Sequence, residues 1–137
     1  MNQNYAGGCA CGAIRYDVVG EPIAMNDCQC RQCQRDSGTG HASYLTFAGA
    51  QVALEGAPSA WDFTGDGATV KRRAFCPACG TPVYMTSPAS PEVFVIRAGS
   101  LDDPSRYRAE TVFWTETAQP WDHLDPVAIR FERMPPG

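Results

Sequence analysis

Seven cysteines fall in three knots: Cys9-x-Cys11, Cys28-x-Cys30-x-x-Cys33 and Cys76-x-x-Cys79. An odd number excludes a fully paired disulfide framework, and cysteines one or two residues apart on a tight turn bring two thiolates to one metal. Zinc takes four tetrahedral protein ligands in closed sites and three in open ones, so the set divides as four plus three. The run Cys76-Pro77-Ala78-Cys79-Gly80 reads as a knuckle turn, stiffened by proline, with Gly80 free to take a positive φ. Its natural partner is the other isolated pair, Cys9 and Cys11, set between Gly8 and Gly12. These four predict a closed structural zinc site. The local triplet Cys28, Cys30 and Cys33 predicts a second zinc held from one side, with its fourth position open to water or substrate, the arrangement of catalytic zinc. Two readings compete with this one. A fourth ligand from His41, Asp27 or His123 would close the triplet into a second structural site, and redox or merely buried thiols would need no metal.

Charge bears on the same residues. The formal net charge is −4; seven ionised thiols and two divalent ions would move it to about −7. Excess thiolate charge calls for cations nearby. Arg31 and Arg35 flank the triplet and Lys71, Arg72 and Arg73 precede the knuckle, nearly half of the 11 basic residues. Such residues either compensate the thiolates or hold the carboxylates of an anionic thiol substrate. Trp114, Phe113, Trp121 and Tyr44 are candidates for a pocket lining, against the commoner role of aromatics as core. His41 and His123 are candidate proton carriers, each with a surface or hydrogen-bonded alternative. Ser37 either touches substrate or caps a turn.

The elements that must position these groups read as strands. Apolar residues alternate at Ile14, Tyr16 and Val18 against Arg15 and Asp17, which predicts a half-buried strand leaving the first cysteine pair. Further strands are predicted at Ser43–Phe47, Gln51–Leu54, Ala60–Phe63, Thr69–Phe75, Val83–Thr86, Glu92–Ala98 and Thr111–Thr115. Turns such as Gly56-Ala57-Pro58 and Thr64-Gly65-Asp66-Gly67 separate them. Helix is expected only as a turn or two at Cys30–Arg35 and Asp103–Tyr107. The fold class is therefore all-β, and 137 residues with 44% hydrophobic and 19% charged content predict one domain with its own core. The tail Met134–Gly137 is expected to fray.

Composition excludes other classes. A negative chain without a basic face is a poor nucleic-acid binder. The strongest apolar run, Val93–Ile96, is far short of the ~20 residues of a membrane span. The opening residues lack a basic n-region and an apolar stretch, so no secretory signal is read there and a cytoplasmic, soluble protein is expected.

Three segments together resemble the glutathione-dependent formaldehyde-activating family, which shares its zinc domain type with S-(hydroxymethyl)glutathione synthase and centromere protein V. They are Gly8-Cys9-Ala10-Cys11-Gly12, Cys28-Gln29-Cys30-Arg31-Gln32-Cys33 with Ser37-Gly38, and Arg73-Ala74-Phe75-Cys76-Pro77-Ala78-Cys79-Gly80-Thr81-Pro82. The likeness continues through Gly99-Ser100-Leu101-Asp102-Asp103-Pro104 and the Trp114 to Trp121 segment, from about Gly7 to Arg133. The resemblance implies an all-β zinc fold related to Rab-interacting zinc proteins and type B methionine sulfoxide reductases. It implies structural zinc at Cys9, Cys11, Cys76 and Cys79, and catalytic zinc at Cys28, Cys30 and Cys33.

The implied reaction is the reversible condensation of glutathione with formaldehyde, classed with the carbon–sulfur lyases, with a small thiol and a small aldehyde as partners. The alternative is a zinc-stabilised binding module for a protein partner, which needs only the closed site. Sulfoxide reduction would need a redox cysteine late in the chain, and none follows Cys79.

Overall fold

The computed structural model describes residues 4–65 and 67–135, so Asp66 of one predicted turn and the last two residues of the expected frayed tail lie outside the described residues. Among the described residues, eleven strands and one short α-helix follow the order β1 (Asn4–Gly8), β2 (Arg15–Val19), β3 (Ala24–Cys28), α1 (Arg31–Ser37), β4 (Ala42–Ala48), β5 (Gln51–Glu55), β6 (Ser59–Thr64), β7 (Val70–Phe75), β8 (Pro82–Thr86), β9 (Val93–Arg97), β10 (Thr111–Phe113) and β11 (Ile129–Arg130). The fold is mostly β, as the alternation predicts. Among the described residues, no helix is long and apolar enough to cross a membrane.

The strands form two sheets. A three-stranded sheet runs β1-β2-β5, and an eight-stranded sheet runs β11-β10-β3-β4-β9-β8-β7-β6. Pairing is antiparallel except that β10 lies parallel to both β3 and β11. Side chains alternate across a strand, so the large sheet has two different faces. On its inner face Leu45, Ile96, Tyr84 and Ala74 form a cross-strand row. That row packs with Phe47, Phe94 and Val83 against Tyr5, Ile14, Tyr16 and Val18 of the small sheet and its turn. On its outer face a second row runs Thr46, Val95, Met85, Arg73 and Trp61 across five strands. A smaller buried cluster of Cys28, Cys33, Ala42, Tyr44, Met85 and Val95 sits there.

Three strands escape the sequence pattern. In β1 two glycines dilute the signal, β3 reads Ala-Met-Asn-Asp-Cys with Asn26 and Asp27 buried, and β11 is two residues long. Two boundaries also shift. The strand expected over Thr111–Thr115 stops at Phe113 because Trp114 takes φ 63°, ψ 41°, and a 3-10 turn follows. The expected turn at Asp103–Tyr107 is a 3-10 turn over Pro104–Arg106, with the Asp103 carboxylate accepting from the Ser105 backbone N–H.

The small sheet is tied to the segment after β9 by the Tyr16 hydroxyl on Ser100 Oγ at 2.7 Å, by a bridge between Gly7 and Leu101, and by Arg15 on Asp102. Space at the end of β1 is tight. A Cβ on Gly8 would stand 2.1 Å from the Ile14 carbonyl oxygen, which is backbone and cannot rotate away. Gly8→Ala should therefore cost about 1–3 kcal/mol in denaturant unfolding and weaken metal retention at the adjoining Cys9 and Cys11, measured by chelator competition.

Candidate metal centres and the outer-face cavity

Two groups of sulfurs assemble. Cys9, Cys11, Cys76 and Cys79 place their Sγ atoms within 4.8 Å of one another, and so do Cys28, Cys30 and Cys33. All seven are free thiols. The division expected from spacing is thus the division in space.

The four-sulfur group joins two turns. Cys9 and Cys11 sit between β1 and β2, where the Cys9 sulfur accepts from Ile14 N–H at 3.2 Å and Gly12 N–H closes on the Cys9 carbonyl. Cys76 and Cys79 occupy the β7–β8 turn, closed by Gly80 N–H on the Cys76 carbonyl at 2.8 Å, with Gly80 at φ 78° as predicted. Thr81 links the turns: its hydroxyl accepts from Ala10 N–H at 3.1 Å and meets the Cys79 sulfur at 3.2 Å. That contact, followed by backbone N–H groups, lowers the Cys79 thiol to about 5. Sulfurs bonded at 2.3 Å to a tetrahedral zinc lie about 3.8 Å apart. The Cys9–Cys11 and Cys11–Cys76 separations are 3.6 and 3.7 Å, so the donor set and its spacing fit a closed tetrahedral ion.

The three-sulfur group is held by β3, α1 and the segment after β10. Cys28 ends β3. Cys30 caps α1, its sulfur accepting from Cys33 N–H at 3.3 Å, and Cys33 lies in the first turn. Gln34 ties α1 down by donating to the carbonyls of Gln29 and Thr117, both at 2.9 Å. Contacts from the Cys28 and Cys33 thiols, then from backbone N–H groups, pull the Cys30 thiol far below its ordinary value. Contacts with Cys30 and Cys33, then burial, push Cys28 far above it. Three thiols this close do not all ionise without a cation among them. None of the candidate fourth ligands joins the group among the described residues. The Asp27 carboxylate accepts from Ser43 and Tyr107 at 2.6 Å, His41 Nδ1 pairs with Asp122 at 2.9 Å, and His123 is exposed. Ser37 is used in its turn, where its oxygen accepts from Thr39 N–H.

The triplet opens on a cavity of about 240 Å3 on the outer face of the large sheet. Asn26, Tyr44, Met85, Val95 and Phe113 line it, with Lys71 and Arg73. Of the candidate aromatics, Tyr44 and Phe113 thus reach the cavity, Trp114 lines a neighbouring hollow with Cys30 and Arg31, and Trp121 is 59% exposed. Of the candidate cations, Arg72 points away to Asp62 and Arg31 donates to Gln34. Sequence reasoning missed Asp36 and Arg97: Arg73 and Arg97 both donate to Asp36 Oδ2, at 2.9 and 2.6 Å. Only the sheet register brings them together.

Comparison with known proteins follows the same lines. The sequence model of the family described as glutathione-dependent formaldehyde-activating enzyme matches residues 4–117. A Halomonas elongata protein named "Putative glutathione-dependent formaldehyde-activating enzyme" is 32% identical over 101 residues, 70% of this chain and 64% of that protein. The chain thus spans somewhat under two thirds of that relative's length. A crystal structure of a Rhodobacter sphaeroides protein matches with a TM-score of 0.55 over 74% of this chain and 93% of that one. At 23% identity, that likeness concerns the fold.

The Tyr44 hydroxyl stands 3.0 Å from Cys33 Sγ and accepts from Arg73 Nη1 at 3.3 Å, and burial pushes its ionisation well above the ordinary phenol value. Tyr44→Phe removes both contacts without changing the packing volume. It should cost about 1–2 kcal/mol in unfolding and speed metal loss from the triplet to a competing chelator, with retention at the four-sulfur group unchanged.

Proposed function

The chain belongs to the glutathione-dependent formaldehyde-activating enzyme family, and from that premise we propose that it is a zinc-dependent enzyme of the carbon–sulfur lyase type. Its substrate is the adduct of a small thiol and a small aldehyde, glutathione with formaldehyde or a related pair. The observation that carries this reading is placement: three sulfurs within 4.8 Å of one another wall a cavity large enough for a small molecule, and no histidine or carboxylate joins them among the described residues.

Cys9, Cys11, Cys76 and Cys79 would hold a structural zinc, and Cys28, Cys30 and Cys33 the reactive one. Three thiolates would leave such an ion at a net −1 and blunt it as a Lewis acid, so the chemistry it would supply is chiefly to favour the thiolate form of an incoming thiol. The chain does the rest. Tyr44 fixes the Cys33 sulfur, while Met85, Val95 and Phe113 give the cavity an apolar wall that limits water. In the condensation the S–H bond breaks, a carbon–sulfur bond forms to the aldehyde carbon, the carbonyl π bond opens, and the proton ends on oxygen. No oxidant or reductant enters, which agrees with seven free thiols and a reducing, cytoplasmic setting.

Protein purified without chelator should contain two zinc ions per chain, and Cys30→Ser protein one. The wild type should form the thiol–aldehyde adduct faster than the spontaneous reaction, with Cys30→Ser at the spontaneous rate. A wild-type count of one, or a mutant that keeps both ions, contradicts the two-site reading. No excess rate across several thiols leaves a zinc-stabilised binding module in its place.

A further inference from the structure

The face of the large sheet that carries the triplet also carries a buried amide that no protein group meets among the described residues. Asn26 sits in the middle of β3, opposite Tyr44 of β4 and Thr111 of β10. Side chains two residues apart on a strand share a face, so Asn26 stands beside Cys28, about 7 Å along the same face. The residue is 7% exposed and lines the cavity together with the three sulfurs. Among the described residues its amide makes no hydrogen bond, and the side-chain atoms sealed from solvent without a partner are Asp17 Oδ1 and Arg73 Nε. The Asn26 amide is therefore unpaired but not sealed, and the small part of the residue left open faces the cavity it lines.

Buried polar groups are normally paired, and an amide left unused at a cavity wall is free to meet a ligand. Its polar neighbours are committed or further off. The Tyr44 hydroxyl is held between Cys33 and Arg73, the Asp27 carboxylate by Ser43 and Tyr107, and Thr46 lies opposite Ala24, a step further from Cys28. Resting on the thiol–aldehyde reading above, we infer that Asn26 is a catalytic residue whose side-chain N–H groups receive the oxygen of the aldehyde. As the sulfur lone pair forms the carbon–sulfur bond, the π pair moves onto that oxygen, and the hydrogen bond strengthens as its charge builds. The proton given up when the thiol became a thiolate then ends on the oxygen, so no further reactant is needed. An amide does this without changing its own protonation state and brings no net charge to the sulfurs beside it.

The test assays zinc-loaded protein with glutathione and formaldehyde for adduct formation above the spontaneous rate. Asn26→Leu, similar in volume and without polar atoms, should lower the excess kcat about 100-fold, with a smaller change in the KM for the aldehyde. Asn26→Asp, of the same shape but with acceptors in place of the donors, should lose about as much. Three further readouts separate this role from a structural one. Asn26→Leu should keep both zinc ions and should not lower the denaturant midpoint, because no protein hydrogen bond is lost. Its affinity for glutathione, read from the sulfur-to-cobalt absorption of cobalt(II)-substituted protein, should stay within about twofold of the wild type. An excess rate within about threefold of the wild type in either variant, or a fall in Asn26→Leu accompanied by a lower midpoint, lost zinc or weaker thiol capture, overturns the assignment. If the wild type itself never exceeds the spontaneous rate, the thiol–aldehyde reading has failed and this inference falls with it, a result read before any variant is made.

Discussion

Four sulfurs from chain positions as far apart as Cys9 and Cys79 meet within 4.8 Å, and the two sheets are joined there. The turn after β1 belongs to the small sheet and the turn after β7 to the large one. Everything nearby serves this clasp. Ile14 N–H steadies one sulfur, Thr81 spans both turns, and Gly8 is small because the Ile14 carbonyl occupies the space of a side chain. Unmetallated, the clasp is a set of crowded thiols: contacts with its neighbours raise Cys11 to about 11 even though a backbone N–H favours its thiolate. A cation removes that conflict, so metal binding and sheet docking are expected to be one equilibrium rather than two.

With one edge clasped, the large sheet can afford two unlike faces. Its inner row of Leu45, Ile96, Tyr84 and Ala74 is ordinary core. Its outer face mixes Thr46, Val95, Met85, Arg73 and Trp61 in register across five strands, and adds Asn26 and Tyr44 beside Arg97. A triplet at the end of β3 and the start of α1 is too local to build a pocket by itself. The wall comes from strands distant in sequence, and the site is a property of the sheet as much as of the cysteine motif.

That division explains what could be read from the sequence. Ligand spacing survives folding because a tight turn fixes it locally, so both sulfur groups are legible as Cys-x-Cys, Cys-x-Cys-x-x-Cys and Cys-x-x-Cys. Alternation finds β2 and β4, and a continuous apolar run finds β9, because their buried positions other than Arg97 are apolar. It fails for β3 because Asn26 and Asp27 are buried polar residues, Asp27 satisfied by Ser43 and Tyr107. The helix start at the triplet is legible and its end at Ser37 is set by Gly38 at φ 78°. The meeting of Asp36 with Arg73 and Arg97 depends on the register of β7 against β8 and β9, which no local pattern encodes. Equally hidden is Trp114, whose left-handed backbone ends β10 beside the triplet.

The outer face also shows what the fold gives up. A buried carboxylate between two guanidinium groups is a weak contributor to stability, and well-packed apolar residues of the same volume often do as well or better. Stability alone does not account for such a cluster on a sheet that already has an apolar core. A zinc ion on three thiolates would carry a net −1, and neutralising it would account for one excess cation but not for its direction. The hydrogen bonds toward the sulfurs run through Tyr44 and Nη1, while the unpaired donor, Nε, is a different atom of the guanidinium. Arginine suits both demands because its planar fork holds several fixed donors at once. One edge is anchored to Asp36 and Tyr44, while Nε stays buried without a partner.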